Sequence, residues 1–167
     1  PTMLALPDIR LATPADAAGI ADMSRDCIEH GLPWSWTAAR VMQAIRDPLT
    51  NVVVHARRGQ LQGFGIMQYG DDDAHLLLLA VSPVARHQGL GRGLTAWLEH
   101  TARTAGVRRI RLEARADNLH ALAFYEKQGY VRVGTASGYY EGVVDAVQMR
   151  KMLVGDGGAA SDDLATR

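Results

Sequence analysis

Apolar residues recur two apart in some stretches of this chain and three or four apart in others, and the alternation lays out an ordered series of strands and helices. Ile9 to Ala12 reads as a short strand. Thr13-Pro14-Ala15-Asp16 carries the marks of a helix start, with Thr as cap, Pro in the first turn and an early acid, so a helix is expected to about Glu29. A second helix should begin at Thr37 and end before Pro48, because the residue preceding a proline is pushed out of the helical region. Asn51 to Arg57 and Gln60 to Tyr69 are β-rich and divided by Arg58-Gly59, which predicts a hairpin. Ala74 to Val81 is expected to be a fully buried strand.

The pattern then changes to a glycine-rich loop, a helix over 90–105, a strand over 107–114 and a helix over 118–128. That alternation implies parallel strands joined by crossover helices. Two last strands, about 130–139 and 143–153, complete an α+β layout with a mixed α/β sheet and a crevice at the carboxyl ends of the parallel strands. Residues 1–153 are expected to form one domain and 154–167, small and polar, a flexible tail.

Length and composition narrow the function classes. The 167 residues are 47% hydrophobic with a formal net charge of zero, enough for a sizeable core and unlike a binder of nucleic acid or membrane surface driven by bulk charge. No apolar run approaches the roughly 20 residues that span a bilayer, and no basic segment followed by an apolar one opens the chain, so a cytoplasmic protein is expected. Cys27 is the single cysteine and falls on the apolar stripe Ile20, Met23, Cys27, where packing is its expected role. The six histidines show no H-E-x-x-H spacing and no Cys-x-x-Cys accompanies them, so metal binding is not expected.

The most informative stretch is Val81-Ser-Pro-Val-Ala-Arg-His-Gln-Gly-Leu-Gly-Arg-Gly93, which joins a leucine-rich strand to a helix. Gly89, Gly91 and Gly93 lack Cβ atoms, so successive main-chain amides can approach an anion, and the helix from Leu90 adds its positive dipole end. Arg86 and Arg92 can add full charges. The Gly-Lys-Ser/Thr ending of a nucleotide-triphosphate loop is missing. A dinucleotide fingerprint fits poorly as well: Ser82 to Gln88 separate the strand from the first glycine, and the third glycine comes one position early, although Glu113 stands where an acid would be wanted.

Arg86-His-Gln-Gly-Leu-Gly91 resembles the phosphate loop R/Q-x-x-G-x-G/A of the GNAT superfamily of acetyl-CoA-dependent N-acetyltransferases. Leu79-Ala-Val-Ser-Pro83, Leu112-Glu-Ala-Arg-Ala-Asp-Asn118, Ala123-Phe-Tyr-Glu-Lys-Gln-Gly-Tyr130, Tyr139-Tyr140 and Asp145-Ala-Val-Gln-Met149 follow the family's order. Within it the chain is similar to the RimI type, which acts on ribosomal-protein N-termini. The resemblance implies the GNAT acyl-CoA N-acyltransferase fold of about seven strands and four helices, and acetyl-CoA (coenzyme A) as cofactor. It further implies that main chain of Leu79, Ala80 and Val81 pairs with the pantetheine arm and that Arg86, His87, Gln88, Gly89, Leu90, Gly91, Arg92 and Gly93 hold the pyrophosphate. Asn118 would touch the cofactor, Glu113 would be general base, and Tyr125, also at the cofactor, general acid. Asn118 and Tyr125, seven apart, would share a helix face with Leu122 between them.

Acetyl transfer needs a neutral amine and a proton for the leaving thiolate. An α-amine of pKa about 8 is neutral in roughly a tenth of molecules at pH 7, a lysine of about 10.4 in far fewer. A carboxylate base is therefore asked for less by a protein N-terminus, and a tyrosine, protonated at neutral pH, can supply the thiolate's proton. Trp34, Trp36, Tyr139 and Tyr140 are the expected acceptor-facing residues. The family often carries a basic residue shortly before the tyrosine pair, where this chain has Thr135-Ala-Ser-Gly138, which leaves a small-molecule amine (amino acid, polyamine or aminoglycoside-like) open as acceptor. A non-catalytic acyl-CoA sensor is the alternative from another class. A monomer and a homodimer are both compatible with the chain.

Overall fold

The computed structural model describes residues 8–140, 142 and 144–153; the expected tail, 154–167, lies outside them. In chain order the elements are β1 (Ile9–Leu11), a 3-10 turn (Pro14–Asp16), α1 (Ala17–Cys27), α2 (Ala38–Arg46), β2 (Thr50–Arg57), β3 (Gln60–Tyr69) and β4 (Asp73–Val81). A second 3-10 turn (Pro83–Ala85) leads to α3 (Leu90–Ala105), β5 (Arg109–Arg115), α4 (Leu119–Lys127), β6 (Val131–Tyr140) and β7 (Val144–Met152). The strands form one seven-stranded mixed sheet in the order β1-β2-β3-β4-β5-β7-β6. The described residues divide into two compact units, one within residues 8–68 and 76–98, the other within 69–75 and 99–153.

In the first unit β1, β2 and β3 pair antiparallel. Arg58 and Gly59 both take positive φ, 54° and 77°, the backbone of a two-residue turn whose twist matches that of the flanking strands. Asp16 anchors the entry to α1: its carboxylate accepts from the Thr13 amide at 2.8 Å and pairs with Arg10 at 2.8 Å. Ile20 and Ala21 of α1, Val41 of α2, Trp36, and Val52, Val54, Phe64, Ile66, Leu78 and Ala80 of the strands make one apolar cluster. Each Val, Leu, Ile or Phe among them contributes about 1.5–3 kcal/mol when taken from water.

β4 departs from expectation. It alternates buried and half-exposed positions, Ala74, Leu76, Leu78 and Ala80 inside and His75, Leu77, Leu79 and Val81 partly open, where unbroken burial was expected from the leucine run. The leucine run hides this alternation because Leu77, Leu79 and Val81 are as apolar as the buried set, and only placement in the sheet separates them.

Gly63 and Gly65 of β3 mark where α3 comes down on the sheet. A Cβ at Gly63 would stand 2.9 Å from the Ala80 carbonyl oxygen and 3.2 Å from Leu94, and one at Gly65 3.0 Å from Leu98. Leu94 and Leu98, one turn apart on α3, fill the space those glycines leave.

In the second unit β5 and β6 both pair antiparallel with β7, which enters between them. Ile110, Leu112 and Ala114 of β5 are buried with Leu122 and Tyr125 of α4 and Ala146 and Met149 of β7. Glu99, buried, accepts from the Tyr130 hydroxyl at 3.1 Å and from Lys151 Nζ at 2.9 Å, so its charge is compensated.

Gly63→Ala places a methyl against a backbone oxygen that cannot rotate away. It should cost about 1–3 kcal/mol and lower the urea midpoint with an unchanged slope; an unaltered midpoint would show that this close approach is not a constraint.

Candidate active site

In the first unit the segment between β4 and α3 has an uncommon backbone. His87, a non-glycine, takes φ 66° and Gly89 takes φ 80°. Left-handed residues alternating with residues of negative φ can turn nearby amides toward a common side, a concavity of the kind that suits an anion. The Gly93 amide donates to Gly89 oxygen at 3.0 Å, so the amides of Leu90, Gly91 and Arg92 precede the first i→i−4 bond of α3. Thr95 Oγ1 donates to Gly91 oxygen at 2.6 Å and holds this turn from the buried side. The left-handed positions, the open amides and the flanking Arg86 and Arg92, both exposed, suit a diphosphate. Arg86 Nε donates to Val81 oxygen at 3.2 Å and so spans the base of the loop. Leu79, Ala80 and Val81 end β4 beside it.

Cys27 is half-buried on α1, as its apolar stripe predicts, and burial pushes its thiol up while nearby Arg86 opposes the shift. It lines an open hollow of about 640 Å³ with Met23, Leu61, Ser82 and Arg86.

The two tryptophans have different fates. Trp34 is 41% exposed with the Arg25 guanidinium 5.3 Å from its ring, whereas Trp36, at 9%, belongs to the apolar core with Arg40 over its face at 3.9 Å. Of the pair expected at the acceptor, Trp34 alone presents an open face. The reason is Glu29, whose buried carboxylate accepts from Ser24 Oγ at 2.8 Å, the Ser35 amide at 2.7 Å and the Trp36 amide at 3.3 Å. It thereby pins the loop with residue 36 inward. Glu29 was read only as a helix end; no local motif signals a carboxylate that satisfies amides six and seven residues onward.

In the second unit a cluster forms around Glu113 on β5. Its side chain is 11% exposed; Oε1 meets His75 Nε2 at 2.5 Å and the Tyr139 hydroxyl at 3.3 Å, and Oε2 lies 3.7 Å from Arg111. Tyr140 donates to the Glu113 carbonyl at 3.0 Å. Burial works to raise the carboxyl, but the hydrogen bond and charge of His75, with Arg111 and Tyr139, outweigh it and hold the group below the usual carboxylate range. Glu113, Tyr139 and Tyr140 were each expected in the site from sequence, and the structure brings them together. No local signal in the sequence points to His75 here, because its contact with Glu113 spans 38 residues.

Tyr125 lies in the apolar side of this unit, edge-on to Phe124 at 5.3 Å and to Tyr130 at 5.6 Å. Burial, with a smaller contribution from Tyr140, raises its hydroxyl well above the ordinary tyrosine range, so it stays protonated at neutral pH. Asn118 is the cap of α4: Oδ1 accepts from the Ala121 amide at 3.0 Å, leaving its amide nitrogen as the polar group not used by the cap.

A carboxyl whose folded pKa is depressed contributes stability that is present above its unfolded value, about 4.3, and is lost as pH falls through the folded value. Glu113→Gln should therefore lower the melting temperature at pH 7 and lose that deficit progressively below about pH 4.3. A deficit that is the same at pH 7 and pH 3 would mean that charge at this position does not stabilise the fold.

Residues 19–130 match the model of the acetyltransferase (GNAT) family. The [ribosomal protein bS18]-alanine N-acetyltransferase of Escherichia coli (strain K12) is 34% identical over 123 residues, 72% of this chain and 81% of that protein. Ard1 from Thermoplasma volcanium superposes with a TM-score of 0.76 at 26% identity, covering 87% of this chain and 96% of that one. An aminoglycoside 6'-N-acetyltransferase complexed with coenzyme A shares the fold, with a TM-score of 0.73 at 22% identity over 87% of this chain and 96% of its own.

Proposed function

Because the chain belongs to the GNAT acetyltransferase family, we propose that within it the protein acetylates a free protein N-terminal α-amino group, with Glu113 as general base and Tyr125 as general acid. The enzyme class itself, an acetyl-CoA-dependent N-acetyltransferase, follows from membership. Acetyl-CoA supplies an acyl group activated as a thioester. Main chain of Leu79, Ala80 and Val81, the loop from Arg86 to Gly93, and the Asn118 amide are the groups assigned to hold it.

The observation that carries the reading is the Glu113 carboxylate, ionised at neutral pH and ringed by His75, Tyr139 and Tyr140. A base of depressed pKa takes a proton readily only from an amine that already spends part of its time neutral, which favours an α-amine of pKa about 8 over a lysine of about 10.4. Glu113 accepts the proton that the ammonium loses, the neutral nitrogen forms a C–N bond to the thioester carbon as the C–S bond breaks, and the surplus proton on that nitrogen restores the Tyr125 phenolate left by protonating the sulfur. The Tyr125 hydroxyl, neutral in its apolar surroundings, gives its proton to the departing sulfur, and that donation strengthens as negative charge develops. Identity of 34% to an enzyme named for the alanine of a ribosomal protein points the same way. Trp34 and Tyr139, the exposed aromatics among the expected acceptor residues, are assigned to the acceptor chain.

Coenzyme A release should be measured with acetyl-CoA and a panel of α-amine peptides, lysine peptides, polyamines and aminoglycosides. Release is expected chiefly with α-amine peptides; acetyl-CoA binding without any acceptor-dependent release would instead identify an acyl-CoA sensor. Tyr125→Phe should lower kcat by about 10²-fold or more with little change in coenzyme A affinity, and an undiminished kcat would remove Tyr125 from the chemistry.

A further inference from the structure

The outward face of β5 carries Arg109, Arg111 and Glu113, alternating with the buried Ile110, Leu112 and Ala114. Charge on this face is balanced within a few ångströms. Arg109 stands 2.7 Å from Asp73, while Arg111 reaches Asp73 at 3.9 Å and Glu113 at 3.7 Å. Asp73 ends the acidic triplet Asp71-Asp-Asp73, the one acidic cluster in the sequence that could have drawn polycations, and it is committed to these two arginines. Two guanidiniums thus face two carboxylates, and the remaining partners of Glu113 are an imidazole and a phenol.

An acceptor with one ammonium needs no negative charge beyond that of the base that deprotonates it. An acceptor with several is concentrated only where carboxylates stand uncompensated, since each extra ammonium must otherwise be desolvated against a neutral or positive wall. We propose that Arg111 is a specificity-determining residue, whose guanidinium cancels the charge of the Glu113 carboxylate and so selects acceptors bearing a single cationic amine over polycationic amines. The inference rests on the reading of Glu113 as the base.

Substitution changes the balance in steps. Arg111→Lys keeps two cations against two carboxylates, Arg111→Gln leaves one against two, and Arg111→Glu leaves one against three. Arg111 is about half exposed at the side chain, so these changes should not disturb folding, which thermal melts can verify.

The test compares kcat/KM for a peptide with a free α-amine and no lysine or arginine against kcat/KM for spermidine, at low salt and at about 1 M salt. The native enzyme should prefer the peptide. Arg111→Glu should raise the spermidine-to-peptide ratio about three- to tenfold at low salt, Arg111→Gln less, and Arg111→Lys not at all. The gain should shrink at high salt, where screening falls from a length of about 10 Å at 0.1 M to about 3 Å at 1 M. A ratio unmoved by Arg111→Glu, or a native enzyme that takes spermidine as readily as the peptide, overturns the assignment. Failure of the underlying reading looks different: Glu113→Gln would then keep full turnover with the peptide.

Discussion

The contact on which the first unit depends is the close approach of α3 to β3 over Gly63 and Gly65. Because neither position has a Cβ, Leu94 and Leu98 sit directly on strand backbone, and the first turn of α3 is held at a fixed height above the sheet. That turn follows directly on the left-handed His87 and Gly89. A side chain at Gly63 would have to move the Ala80 carbonyl or lift the helix. Packing density in a core, and not loop flexibility, thus holds the first turn of α3 in place.

In the second unit the governing balance is between desolvation and compensation. Removing Glu113 from water favours its neutral form; the His75 contact, the Tyr139 hydroxyl and the Arg111 guanidinium together more than reverse that. Tyr125 meets the same desolvation with no such compensation and is driven the other way. One unit therefore keeps a carboxyl ionised and a phenol neutral at the same pH, the separation that acid and base roles require.

Glu29 shows the same physics used for architecture. A carboxylate buried beside α1 accepts from two amides and two hydroxyls, and this satisfies the main chain of a loop that would otherwise carry unpaired donors into the core. The outcome is an asymmetric tryptophan pair, Trp36 in the core and Trp34 half open.

Read alone, the sequence determined the element order and named residues that the fold brings together around Glu113. Periods of two and 3.6 residues, the Arg58-Gly59 turn, Pro14 at a helix start and Pro48 just past a helix end, and the glycine loop are local signals, written within a few residues of what they cause. The ordered motifs likewise pointed to the family, and to Glu113, Tyr139 and Tyr140. What only the tertiary structure decided involves partners distant along the chain: β7 entering between β5 and β6, the alternation hidden in the leucine run of β4, His75 against Glu113, and Trp36 turned inward by Glu29. The physical reason is that burial and pairing belong to neighbours in space, and a histidine or tryptophan looks the same in the sequence whether its partner is a carboxylate 38 residues away or water.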